Sequence, residues 1–152
     1  MNIRTSQPSD TAEITQLITR ILTSEFPKDQ VAYSTEDLQS LTQSYQGPAS
    51  IFMVAEDQNK IVGTCGVKAE DAKTAILRRF FVDPAIRGKG IGTSLLDAAL
   101  VFCKKRGFKQ VIIRTSAGME KAIQLCQLKG FQPEGEWSLG GVTLVRYVLK
   151  IT

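Results

Sequence analysis

The stretch that most constrains this chain is Arg87-Gly88-Lys89-Gly90-Ile91-Gly92-Thr93, set between a β-like segment ending in Phe80-Phe81-Val82 and a helical pattern that follows. Glycine accepts backbone conformations closed to other residues and lets a main chain approach a ligand closely. Where such a loop opens a helix, unpaired N–H groups and the helix dipole favour negatively charged oxygens. Arg87 and Lys89 add mobile positive charge. The spacing is not that of a GxxxxGK[ST] phosphate loop, and no acidic residue follows about twenty positions on as a dinucleotide fingerprint requires. Glycines alone are explained equally well as a turn capping a core helix.

The segments around this stretch set the architecture. Asn2 to Thr5 is a short strand, and Ile14, Leu17, Ile18, Ile21 and Leu22 recur at the spacing of one buried helical stripe. Asp10 with Glu13 resembles a capping box, and Pro27 marks the far end. A second helix is predicted from about Thr35 to Gln43, capped by Ser34 and closed by Gly47-Pro48; its few apolar residues, Leu38 and Leu41, suggest a surface lid. Strands at Ile51 to Glu56 and Ile61 to Lys68 flank the polar turn Asp57-Gln58-Asn59-Lys60, and a third runs from about Thr74 to Val82. After the glycine loop, Ile91, Leu95, Ala98, Ala99 and Phe102 line one face of a helix ended by Lys104, Lys105, Arg106 and Gly107. Gln110 to Thr115 is a buried strand, Met119 to Lys129 a helix stopped by Gly130, and Phe131 onward two strands around Gly140-Gly141. The order βααβββαβαββ predicts an α+β fold whose mixed, mostly antiparallel sheet is flanked by helices on both faces.

With 152 residues, 43% apolar and 22% charged, the chain fits one globular domain over residues 1–152. It contains no histidine, which removes that side chain as general base, metal ligand and triad member. Cys65, Cys103 and Cys126 are odd in number and widely spaced, so neither a disulfide framework nor a CxxC metal site is available, and a reducing cytoplasm suits them. No metal is expected. Met1 to Asp10 is too polar for a signal peptide, and the longest apolar run, Ala98 to Cys103, is far shorter than the ~18 residues of a membrane span. Nineteen Lys and Arg against fifteen Asp and Glu give +4, which suits an anionic ligand without demanding nucleic acid.

Phe81-Val82-Asp83-Pro84, then Arg87, Gly90 and Gly92 in the pattern Arg/Gln-x-x-Gly-x-Gly/Ala, then Leu95-Leu96, resemble the acyl-coenzyme A motif of the GNAT (Gcn5-related) N-acetyltransferases. Ala122, Leu125, Gly130 and Phe131 resemble that family's second motif, and the element order is similar to the family's. The resemblance implies an acetyl-CoA-dependent N-acetyltransferase acting on a primary amine of a small molecule, peptide or protein. It implies that Arg87, Gly88, Lys89, Gly90, Ile91, Gly92 and Thr93 bind the pyrophosphate, and that the strand end at Phe81 and Val82 pairs with the pantetheine amides and offers an oxyanion donor. Relatives often dimerise, so a homodimer is expected, with neither membrane nor nucleic acid as partner.

Two positions depart from the family pattern. Where many members carry a tyrosine acid the chain has Cys126, and where an asparagine often stands it has Met119. A thiol at Cys126 has about the right pKa, near 8.5, to protonate a leaving thiolate; a small buried core residue is the alternative. Tyr147, with Tyr33 and Tyr45, is a further candidate acid, although packing explains Tyr147 as well. The base is open: Arg78 and Arg79 stand where some relatives have a glutamate, while Glu70, Asp71, Glu134 and Glu136 are carboxylates explained equally by solvated loops, and water is the remaining choice. Strand alternation predicts that Arg78 and Arg79 point to opposite faces, so that one reaches the acceptor cleft and attracts a carboxylate. Trp137 is packing or an acceptor-pocket wall. The departures also admit a non-catalytic acyl-CoA-binding module.

Overall fold

A computed structural model describes residues 1–27 and 36–151. The elements run β1 (Asn2–Thr5), a 3-10 turn (Pro8–Asp10), α1 (Thr11–Glu25), α2 (Glu36–Gln39), α3 (Leu41–Ser44), β2 (Ile51–Asp57), β3 (Lys60–Ala69) and β4 (Thr74–Val82). They continue with a 3-10 turn (Pro84–Ile86), α4 (Ile91–Lys105), β5 (Gln110–Ser116), α5 (Glu120–Leu128), β6 (Gln132–Leu139) and β7 (Val142–Lys150). A 7-stranded sheet holds the strands in the order β1-β2-β3-β4-β5-β7-β6, with β4 and β5 parallel and every other neighbouring pair antiparallel.

Each sheet face is apolar because the strands alternate, and the helices cover both. On one face Met53, Ala55, Val67, Leu77, Val111, Ile113 and Tyr147 pack with Leu95, Leu96, Ala99 and Cys103 of α4. On the other, Phe52, Val54, Ile61 and Phe81 meet the predicted α1 stripe, Ile14, Leu17, Ile18, Ile21 and Leu22. Each of those five side chains is at most 4% exposed, and burial of that kind stabilises by about 1.5–3 kcal/mol per side chain. The β2–β3 hairpin closes on Gln58 and Asn59, both at positive φ, as a tight two-residue turn requires.

Two local expectations change. Asp10 and Glu13 do not form a capping box at α1. Asp10 instead accepts from Arg4 at 2.8 and 3.1 Å and from the Gln7 N–H at 2.7 Å, while Glu13 accepts from the Ile61 N–H of β3 at 2.7 Å. The side chains serve tertiary partners that sequence spacing does not reveal. The predicted second helix is two short ones broken at Ser40, and Leu38, Leu41 and Tyr45 are buried against α1, so this segment is packed structure rather than a lid. Ser34 and Thr35 lie outside the described residues.

The Arg4 hydrogen bonds, helped by the Gln7 N–H and opposed by burial, hold the Asp10 carboxyl below its usual range. A depressed carboxyl contributes stability that is complete above its unfolded pKa of about 4 and lost as pH falls through the folded value. Thermal melts are therefore expected to show Tm dropping as pH is lowered below about 4, with Asp10→Asn flattening that drop; an unchanged slope in the variant would remove Asp10 from the account.

Candidate active site

The site begins where the sheet comes apart. β4 pairs with β5 only from Thr74↔Gln110 to Leu77↔Ile113, whereas β5 stays on β7 as far as Ser116↔Leu144. Beyond Leu77 the two parallel strands diverge and leave a wedge. A bulge in β4 drives the divergence: Gly66 faces Arg78 and Thr64 faces Phe81, so Arg79 and Phe80 together oppose Cys65. Arg79 has φ 55, a left-handed conformation that a bulge can demand of a non-glycine residue. The Thr64 hydroxyl donates to the Arg79 carbonyl at 2.7 Å and pins it. Past the bulge, the Asp83 N–H donates to Val62 C=O across the β3 ladder at 2.8 Å. Ladder alternation then turns the Val82 groups toward the wedge, and the Val82 carbonyl accepts there from Arg87 Nε at 3.2 Å.

The glycine loop forms the adjoining wall. Gly88 and Gly90 have φ 87 and 80, and a Cβ on either would meet nothing within 4 Å. Glycine is required there by backbone conformation, while the space beside it stays open to a ligand. Gly92 is different, since its Cβ would lie 3.2 Å from Leu125 Cδ2, so its small size lets α4 and α5 close on each other. The first helical hydrogen bond of α4 runs from Ser94 N–H to Gly90 C=O. The amides of Ile91, Gly92 and Thr93 precede it and remain as donors at the positive end of the helix.

Wedge and loop face one cavity of about 690 Å³. Phe81, Val82, Arg87, Gly88, Gly90, Ile91, Gly92 and Thr93 all line it; Lys89 does not, its exposed side chain standing off the wall. The opposite wall is Gly118 to Ala122 with Gln124 and Leu125, and Glu25 and Phe26 close the α1 side. At that edge Arg87 forks onto Glu25 at 2.6 and 2.7 Å. Sequence patterning missed Glu25, Phe26, Glu120 and Lys121, because their only signal is proximity in space.

Neither candidate acid is brought to this cavity. Cys126 is 1% exposed and packs in the α4-side core, where burial pushes its thiol up to about 12. Tyr147 sits opposite Ile113 in the same core. The helical turn that presents Met119, Ala122 and Leu125 to the cavity turns Cys126 toward the sheet. Cys126→Ala is accordingly expected to lose roughly 1 kcal/mol of stability in urea unfolding without any pH-dependent change at the cavity; a selective effect on cavity chemistry at alkaline pH would return the thiol to it.

The other sequence candidates are placed elsewhere. Glu70 binds Arg114, Asp71 folds its own turn onto the N–H groups of Lys73 and Thr74, Glu134 approaches Arg146, and Trp137 is 39% exposed on the edge strand β6. Glu136 is exposed on the same strand, and Tyr33 lies outside the described residues. Tyr45 donates to Asp37 Oδ2 at 2.7 Å, and Arg79 donates to the same carboxylate through Nε and Nη2. Asp37 and Arg79 are each 7% exposed. Burial would raise the Asp37 carboxyl, but Arg79 and Tyr45 together hold it below the usual range, and burial beside that carboxylate pushes the Tyr45 phenol well up. Arg78 also acts on Asp37 and Tyr45 through space. Leu77 faces the α4 core, so Arg78 turns to the opposite face, where Arg79 also meets Asp37; the two arginines do not point to opposite faces, because the bulge resets the alternation.

Among the described residues no group of three or more Asp, Glu or Cys side chains could hold a metal ion, and no helix is long and apolar enough to cross a membrane.

Residues 14–131 match the family model described as Acetyltransferase (GNAT) family. N-acetyltransferase 8B of Homo sapiens is 34% identical over 106 residues, covering 66% of this chain and 47% of that protein. The chain spans about half to three fifths of the length of the curated relatives it matches. An acetyltransferase of the GNAT family from Staphylococcus aureus Mu50 superposes with TM-score 0.88 at 23% identity, covering 99% of both chains. The Salmonella typhimurium protein yncA, solved with its cofactor acetyl-CoA, superposes with TM-score 0.80 at 19% identity, covering 99% of this chain and 93% of that one.

Proposed function

The chain belongs to the acetyltransferase (GNAT) family, and on that premise we propose that it is a single-domain, cytoplasmic N-acetyltransferase that moves the acetyl group of acetyl-CoA to a primary amine. The observation that carries this reading is the meeting of a splayed strand edge and an amide-lined glycine loop in one cavity of about 690 Å³. An extended pantetheine arm needs a strand edge to pair with, and a pyrophosphate needs unpaired amides. The open space beside Gly88 and Gly90 fits the second need, and the wedge-facing groups of Val82 fit the first. The Salmonella typhimurium neighbour, which is named with acetyl-CoA as its cofactor, supports the same assignment.

Acetyl-CoA supplies an activated thioester. The residues of this chain orient it. The Ile91, Gly92 and Thr93 amides hold the phosphate oxygens, Arg87 leaves Glu25 to join them, and the β4 edge beyond the bulge aligns the arm so that an N–H faces the thioester oxygen. The amine nitrogen bonds to the carbonyl carbon, the carbon–sulfur bond breaks, and the products are the amide and the CoA thiol. With Cys126 and Tyr147 in the core, the amine proton leaves to water and the thiolate gains one from water at the open wedge.

The test is release of free CoA from acetyl-CoA by the full chain across a panel of primary amines, followed with a thiol reagent. Amine-dependent release supports the enzyme. Tight acetyl-CoA binding without amine-dependent release would replace it with a non-catalytic acyl-CoA-binding module, a reading favoured only by the placement of Cys126 and Tyr147 in the core.

A further inference from the structure

The sheet face opposite α4 carries a concentration of cations at the apex of the wedge. Arg78 and Arg114 each follow the last parallel pair, Leu77↔Ile113, and therefore stand where the strands part. Ile113 and Tyr147 face the α4 core, so by alternation Arg114 and its partner Arg146 face the other way. Arg114 and Arg146 are directly opposed across β5 and β7, where Cβ atoms lie about 4.5–5.5 Å apart and like charges repel. Lys68 joins them from β3, its ammonium 5.4 Å from the Tyr45 ring centre.

The anions nearby do not balance this group. Glu70 takes Arg114 at 2.7 Å, but Glu134 comes no nearer than 3.8 Å to Arg146, beyond hydrogen-bond length. Asp37 is already bound by Arg79 and Tyr45. Among the described residues Arg78 makes no hydrogen bond or ion pair, and Arg146 Nε is buried with no acceptor. A directly opposed arginine pair with a buried donor left over is an arrangement that an external two-oxygen anion completes, since guanidinium forks match a carboxylate in geometry and charge.

Resting on the acetyltransferase reading above, the geometry points to an acceptor that carries a carboxylate within a few bonds of its amine, an amino acid in class, held by Arg78 and Arg146 with Arg114 beside them. The cavity lining ends at Phe80 and Phe81, two and three residues past Arg78 on β4, and includes none of the apex arginines, so an acceptor whose nitrogen sits at the wedge must extend its carboxylate beyond that lining to meet them. The arginines select the substrate and do not take part in bond making.

The experiment measures initial rates of CoA release by the full chain with acetyl-CoA and each common amino acid, paired with the corresponding amino acid amide in which the carboxylate is neutralised. Acids are expected to exceed their amides at least about tenfold in kcat/KM, mainly through KM, as loss of a charge-assisted fork implies. Arg78→Gln and Arg146→Gln should each bring that ratio toward one while leaving KM for acetyl-CoA unchanged, and Arg146→Lys should restore only part of it. The unchanged acetyl-CoA KM shows that the variants are folded. Amides as good as acids, or variants that preserve the ratio, would overturn this assignment and leave the acetyltransferase standing. Absence of release with any amine would overturn both.

Discussion

Gly90→Glu is expected to abolish acetyl-CoA binding at working concentrations, raising Kd by about 100-fold or more, while the protein stays folded. The fold tolerates the change because a Cβ at Gly90 meets nothing within 4 Å and the residue is exposed. Its cost to stability is the left-handed φ of 80, about 1–2 kcal/mol for a residue with a Cβ. The cost to binding is larger. The carboxylate would stand at the amides of Ile91, Gly92 and Thr93, neutralise the positive end of α4 and repel a pyrophosphate. A 100-fold change corresponds to about 2.7 kcal/mol, the scale of losing a well-made charge-assisted contact set. Gly90→Ala separates the two effects, since it imposes the backbone strain without the charge and should weaken binding much less. Titration calorimetry with acetyl-CoA decides the matter, and wild-type affinity in Gly90→Glu would place the phosphate cradle elsewhere.

The largest loss of stability is expected from Asp37→Ala. Asp37 answers the buried guanidinium of Arg79 and receives the Tyr45 hydroxyl, tying α2 to the bulge that opens the wedge. Removing one member of a buried ion pair leaves a desolvated charge and typically costs about 3–5 kcal/mol, a large part of the 5–15 kcal/mol that usually holds a domain together. Urea unfolding should show that drop, with turnover falling as the bulge loosens. Asp37→Leu combined with Arg79→Met should recover much of the stability, because a buried pair replaced as a unit by apolar groups is often neutral. A loss below about 1 kcal/mol in Asp37→Ala would show that other contacts hold Arg79.

Much of the cavity's loop side was legible in the sequence. Gly88, Gly90 and Gly92 carry their message locally, since backbone freedom at a strand-to-helix junction is a property of residue type. The opposite wall was legible only as helical periodicity. A helix with Met119, Ala122, Leu125 and Cys126 offers more than one apolar face, and the packing of α5 on the sheet decides which residue sees the cavity. Cys126, which stands at a motif position of the family, falls on the buried side for that reason. Arg79 shows the same limit within a strand, because period-two alternation presumes a regular ladder and the bulge opposite Cys65 breaks it. Asp37 gave no signal, being one acidic residue in a weakly apolar segment.

The sequence by itself determined the order of the strands and long helices, the apolar face of each long helix, the glycine loop and the exclusion of histidine chemistry, because each depends on residue type and short-range spacing. Only the tertiary structure decided how far β4 and β5 stay paired, which side chains meet in the wedge, and that Arg114 stands opposite Arg146. Those facts depend on strand register between segments distant in the chain, and register is set by how the whole sheet packs against its helices.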